Sequence, residues 1–160
     1  MFKNANISKL LASVLLCQLA GVIGSIFTSS SLEDWYFLLE KPPFNPPSWI
    51  FFPVWTVLYT LMGISLYLVL EKGLQNSEVK KGILMFSFQL GLNSLWSFLF
   101  FGLKSPYYAF VEIIFLWIVI FLTILQFRTI SKTASYLLIP YIVWVSFAAL
   151  LNYYLWILNS

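Results

Sequence analysis

The sequence predicts an all-α integral membrane protein: a bundle of five transmembrane helices with one short helix in its first loop. Three observations carry that prediction. The chain is 61% hydrophobic and 9% charged over 160 residues, against about 25% charged residues in soluble domains. Its charges cluster instead of scattering. No charge falls between Lys9 and Glu33, between Lys41 and Glu71, between Lys81 and Lys104, or after Lys132, and Glu112 stands alone between Lys104 and Arg128. Each interval exceeds the ~20 residues a helix needs to cross a hydrocarbon core. A continuous apolar run in lipid must be helical, because only a helix satisfies its backbone groups within the segment. The alternating pattern of a transmembrane β-strand is absent.

The expected spans are helix 1 at about 7–29, helix 2 at 47–70, helix 3 at 82–102, helix 4 at 106–127 and helix 5 at 134–157. Together they make residues 1–160 a single domain. Lys3 and Lys9 before an apolar stretch resemble a signal peptide, but the stretch is too long for an h-region and ends without a clear cleavage site. It reads as a retained helix. Short connections make neighbouring helices antiparallel. One side of the membrane then holds Lys3, Lys9, Lys72, Lys80, Lys81, Arg128 and Lys132, the other only Lys41 and Lys104. That asymmetry puts the N-terminus in the cytoplasm and the C-terminus outside. The composition and short termini suggest a bacterial plasma membrane.

Loop 30–46 is the one long connection. Ser30 or Ser31 is placed to cap a short helix with Glu33 and Asp34 in its first turn. Leu32, Trp35, Tyr36 and Leu39 share a face at helical spacing, and Pro42 and Pro43 end it. The segment reads either as an aromatic interface anchor or as a lid over the bundle mouth.

Several chemistries are excluded early. The chain has no histidine and a single cysteine, Cys17, inside the first apolar run. A metal site is not expected, nor is a disulfide framework. The basic residues sit at span ends, unlike a nucleic-acid patch, so no nucleic-acid partner is expected, and the bilayer is the expected environment.

Polar residues at membrane depth carry the functional signal. Gln89, Asn93 and Trp96 share one face of helix 3, with Phe100 a turn on; Trp144, Ala148 and Asn152 share one face of helix 5; helix 2 pairs Trp55 with Tyr59. Each amide alone reads equally well as an interhelical hydrogen bond. Together these faces describe a cavity with flat apolar walls and a few donors, suited to a large planar ligand. Pro53 and Pro140 beside the tryptophans allow kinks that widen the bundle. Glu112, about 9 Å into helix 4, reads as a structural or gating group in preference to a catalytic one. Ala20-x3-Gly24, Gly21-x3-Ser25 and Ser87-x3-Gly91 serve either internal packing or a homodimer face.

A family resemblance follows. Lys41-Pro42-Pro43-Phe44-Asn45-Pro46-Pro47-Ser48-Trp49, then Phe52-Pro53-Val54-Trp55-Thr56-x-Leu58-Tyr59, resembles the loop-1 and helix-2 signature of the TspO/MBR family. Gln89-Leu90-x-Leu92-Asn93-x-x-Trp96 and Phe100-Phe101-Gly102 match in helix 3. Pro140-Tyr141-x-x-Trp144-x-x-Phe147-Ala148-x-x-Leu151-Asn152-Tyr153-Tyr154-x-Trp156 matches in helix 5. The matches keep their order along the whole chain.

The resemblance implies a five-helix receptor, sensor or transporter-like protein whose pocket is closed by the first loop. Its ligands would be porphyrins or haem-type tetrapyrroles, and benzodiazepine-like or isoquinoline drugs; no resident cofactor is implied. The pocket would be lined by Tyr36, Trp55, Asn93, Trp96, Trp144, Ala148 and Leu151. An alternative activity implied for some bacterial members is light- and oxygen-dependent porphyrin breakdown, which would involve Trp55 and Trp144. A membrane scaffold without a ligand is a third reading. The sequence departs from the family at four places. Ile157-Leu158-Asn159-Ser160 lacks the basic residue of the sterol motif, which argues against a sterol role. Ser94 and Tyr108 stand where tryptophan is frequent, and Glu112 is a methylene longer than the usual helix-4 carboxylate.

Overall fold

The computed structural model describes residues 6–160; Lys3, counted above for orientation, lies outside them. Five helices are long and apolar enough to cross a membrane: α1 (Ile7–Ser31), α2 (Ser48–Leu70), α3 (Ser77–Gly102), α4 (Pro106–Ile130) and α5 (Lys132–Leu158). No strand occurs among the described residues. α1 packs on α2 and α3, and α4 packs on α3 and α5. α2 meets α5 chiefly at its first segment, Lys132–Leu137. One end of the bundle carries Lys9, Glu71 and Lys132, and is called the basic end below. The other carries residues 32–47 and is called the loop end.

The helices are longer than hydropathy suggests, mostly at the basic end. α3 starts at Ser77, where the Asn76 side chain accepts the Glu78 N–H at 2.9 Å. Its first turn contains Glu78, Lys80 and Lys81, polar residues that propagate a helix in water but score as loop for a membrane. α4 runs on to Ile130 with Arg128 in its last turn, at the negative end of the helix dipole. A single residue, Ser131, then closes α4 and caps α5, accepting the Ala134 N–H.

The two prolines fall where they cost little. α5 is interrupted at Leu138 and resumes as Ile139–Leu158, leaving Pro140 in the first turn of the new segment. Pro53 lies in the first turn of the α-helical part of α2, after a 3-10 turn over Ser48–Ile50. First-turn N–H groups have no intrahelical acceptor, so a proline there breaks no bond.

The expected short helix of loop 1 is one 3-10 turn, Tyr36–Leu38. Ser31 belongs to α1 and caps nothing; its hydroxyl donates to the Phe101 carbonyl at 2.7 Å, one of the acceptors left free at the end of α3.

The basic end is filled. Cys17, Met62, Val69, Val79, Ile120, Phe127 and Ala134 are fully enclosed there, and Phe86 stacks on Phe127 at 5.7 Å. Gly63 allows α1 to lie directly on α2, since a Cβ there would collide with the Val14 backbone. Ser65 donates to Ala134 O at 2.7 Å and Gln126 Nε2 to a Glu78 carboxylate oxygen at 2.7 Å, joining α2 to α5 and α4 to α3. Lys9 and Glu71 pair at 2.8 Å.

Candidate ligand pocket

Toward the loop end the bundle opens into a cavity of about 380 Å³, within the usual range for small-molecule sites. α1, α2, α3 and α5 wall it. Tyr36, Trp55, Asn93, Trp96, Trp144, Ala148 and Leu151 all border this one space. Residues from four separate stretches of chain therefore converge as the faces at i, i+4 and i+7 require. Glu112 does not join them. It borders a separate, lipid-facing hollow between α3 and α4 with Phe88, Leu92, Tyr108 and Phe115. Neither of its carboxyl oxygens has a hydrogen-bond partner among the described residues.

Aromatic rings shape the cavity walls. Trp55 lies against Tyr59 at 5.5 Å with 30° between planes. Trp96 stacks on Phe100 at 5.1 Å and 19°, so one of its two faces is already covered. Trp144 packs edge-on to Phe51 at 6.1 Å and tilts against Phe147 at 5.4 Å.

A buried hydrogen-bond chain lies behind this wall. The Tyr59 hydroxyl donates to Asn93 Oδ1. Asn93 Nδ2 donates to the Tyr141 hydroxyl at 2.9 Å, which donates to Gln89 Oε1 at 2.8 Å. The Trp96 indole N–H donates to Asn152 Oδ1 at 2.9 Å, and Asn152 Nδ2 to Pro106 O at 2.8 Å. These amides hydrogen-bond between helices. They also fix the rotamers of Asn93 and Trp96 at the pocket surface. The Trp144 indole N–H is different: it is buried, lines the wall and has no acceptor among the described residues. A donor left unpaired in such a place is costly unless something else accepts from it.

The loop 32–47 roofs the cavity and is fastened at several points. Tyr36 is buried beneath it, against Phe100 and Phe101 at 6.3 and 5.8 Å. Its hydroxyl donates to Asn45 at 3.2 Å, and burial raises its pKa while that bond lowers it. Phe44 stands edge-on to Tyr154 at 5.2 Å and to Phe147 at 6.4 Å. Glu40 and Asn159 exchange two bonds of 2.9 Å, backbone N–H to Oδ1 and Nδ2 to backbone carbonyl. Lys41 donates to Leu39 O and Phe37 O at 3.0 and 3.2 Å, and its ammonium sits 4.9 Å from the Tyr36 ring centre. Desolvation lowers its pKa.

Sequence reading missed the α1 wall. Gln18, Gly21, Ser25, Thr28 and Ser29 border the cavity, while the small residues among them were legible only as a packing motif. That motif splits. Ala20 faces α3, where Ser94 donates to its carbonyl at 3.2 Å; Gly24 lies beside Ser97 and borders the cavity as well. Gly21 lies on the Tyr59 ring. Ser87 and Gly91 stay on the exposed side of α3.

Five membrane-length helices, four of them walling a roofed aromatic cavity, define a multi-pass membrane protein with a ligand-sized chamber inside its bundle. The chain belongs to the TspO/MBR family, whose model matches residues 13–157. It is 46% identical over 156 residues to the tryptophan-rich protein TspO of Chlorobaculum tepidum, covering 98% of this chain and 99% of that one. It is 48% identical over 155 residues to the protein of the same name from Archaeoglobus fulgidus, covering 97% and 99%. The human translocator protein is 34% identical over 135 residues, 84% of this chain and 80% of that one.

Proposed function

We propose that the chain is a membrane receptor or sensor that binds porphyrin-type tetrapyrroles, and related planar apolar ligands, in the intrabundle cavity. The observation that supports this best is the convergence of Trp55, Trp96 and Trp144 on one space where the Trp144 N–H lacks an acceptor. Flat rings suit a flat apolar macrocycle, and a pyrrole nitrogen or carboxylate edge would accept from the free indole. Lys41, in the roof loop with its amine on backbone carbonyls, is a cation available to an acidic periphery. The names of the relatives, a sensory protein and a translocator, fit either signalling or transfer of such a ligand.

Titrating protoporphyrin IX into the protein in nanodiscs tests the reading. Tryptophan fluorescence should be quenched saturably. Trp144→Phe, which loses the N–H, should weaken binding by about 1 kcal/mol, roughly fivefold, and Trp55→Phe by a similar amount. If both variants bind as the parent does, the pocket assignment is wrong. A second reading, photo-oxidative porphyrin breakdown, is favoured by Trp55 lying against Tyr59 at 5.5 Å, two oxidisable rings in contact on one wall. Under light and oxygen it requires loss of the porphyrin absorbance bands, suppressed in Trp55→Phe; simple binding leaves the bands intact.

A further inference from the structure

We propose that the cavity receives its ligand sideways from the bilayer, through the gap between the loop-end halves of α1 and α2, and not through the roof. This rests on the cavity being a ligand site and adds the route by which the ligand arrives.

The cavity's own lining reaches the outer surface of the bundle along one seam. Val22, Ser25 and Ser29 of α1 line it at i, i+3 and i+7, and Ser48, Phe52 and Thr56 of α2 at i, i+4 and i+8. All six are exposed. A lining residue exposed to the exterior of a membrane bundle faces lipid.

The ties between the two helices stop where this seam begins. Toward the basic end, Lys9 pairs with Glu71, and Gly63 lies on Val14. Gln18 Nε2 then donates to Thr56 O at 3.0 Å and to Thr60 Oγ1 at 2.9 Å, and Gly21 lies on Tyr59. Past that level no hydroxyl of either helix bonds across to the other among the described residues. Ser25 donates to Val22 O at 2.7 Å, Ser29 to Ile26 O at 3.3 Å and Thr56 to Phe52 O at 2.8 Å. Such bonds satisfy each donor without crossing the gap, so parting the helices on the loop side of the Gln18–Thr56 tie breaks no hydrogen bond between them. Entry through the roof would instead undo the Glu40–Asn159 pair and lift Phe44 from Tyr154. The compatible ligand is an amphiphile with a planar apolar body, dissolved in the membrane before it binds.

A thiol reporter inside the cavity tests the route without needing the ligand. Ala148→Cys in a Cys17→Ala background, reconstituted in liposomes, is exposed to N-phenylmaleimide, which partitions into lipid, or to a sulfonated maleimide, which does not. The proposal expects faster labelling by the lipophilic reagent. Plugging the seam with Ser25→Trp, or from the other side with Thr56→Trp, should slow it about tenfold; loosening the roof with Asn159→Ala should leave it within about twofold. Both plugs sit on exposed positions, where the fold has room for them. Equal labelling by the charged reagent, no effect of either plug, or no labelling at all would overturn the proposal. Porphyrin quenching is read on the parent protein in parallel. Its absence would sink the tetrapyrrole reading while leaving the order of the labelling rates as it stands.

Discussion

The two ends of the bundle come out opposite, one filled and one hollow. At the basic end, aliphatic side chains and one stacked phenylalanine pair fill the core, and at Gly63 α1 lies on α2 at backbone contact. At the loop end, the inward positions are indoles and phenols. Rings prefer edge-on and offset contacts, and indoles and phenols braced by neighbouring rings cannot collapse as leucines do. Without a hydrophobic drive between helices in lipid, small residues and polar ties decide where helices close. The lesson is that hollowness here follows from which residues face inward and where the ties stop.

The comparison can be broken most severely at Gly63. Gly63→Leu should cost about 3 kcal/mol, because overpacking against the Val14 backbone has no flexible neighbour to yield. Unfolding in mixed micelles would show it, and a loss under about 1 kcal/mol would mean that the filled end is looser than described. Next comes Asn93→Ala, which strips partners from Tyr59 and Tyr141 at the base of the hollow end. A cost of about 1.5 kcal/mol is expected, with a wider cavity and less uniform Trp96 fluorescence.

Lys104, in the turn between α3 and α4, adopts φ 53°, a conformation glycine takes without strain. Lys104→Gly should therefore stabilise the loop end by about 1 kcal/mol, read as a raised unfolding midpoint. Smallest is Lys9→Ala. The pair with Glu71 is more than a third exposed on both sides, and its loss should cost under about 0.5 kcal/mol and vanish in high salt.

Much of this was legible beforehand, for physical reasons that also mark the limit. The spans show because lipid forbids charge, and the Trp96 and Trp144 faces show because helical spacing is regular. The start of α1 at Ile7 shows, but those of α3 and α5 do not, since Asn76 and Ser131 cap turns that carry ordinary polar residues. The α1 wall was hidden because a serine facing a cavity and a serine facing a neighbouring helix look the same in sequence. Tyr141 stands in the helix-5 motif, yet its place between Asn93 and Gln89 depends on three helices meeting at one depth. No single-helix pattern encodes that. The cap expected of Ser31 was lost to a stronger competitor, the free carbonyl of Phe101.

The end of α3 carries a consequence for anyone transplanting this helix. Phe98–Gly102 forms a π turn, closed by Leu103 N–H on Phe98 O at 2.8 Å, which amounts to one residue more than a regular helix would use. The surplus lets two consecutive side chains turn inward: Phe100 to stack on Trp96, Phe101 to meet Tyr36. The chamber is thus encoded partly by a count of residues and not only by their identities. A chimaera or alignment that drops one position here would keep every aromatic and still swing the segment's last rings by about 100°, out of the wall and into the lipid.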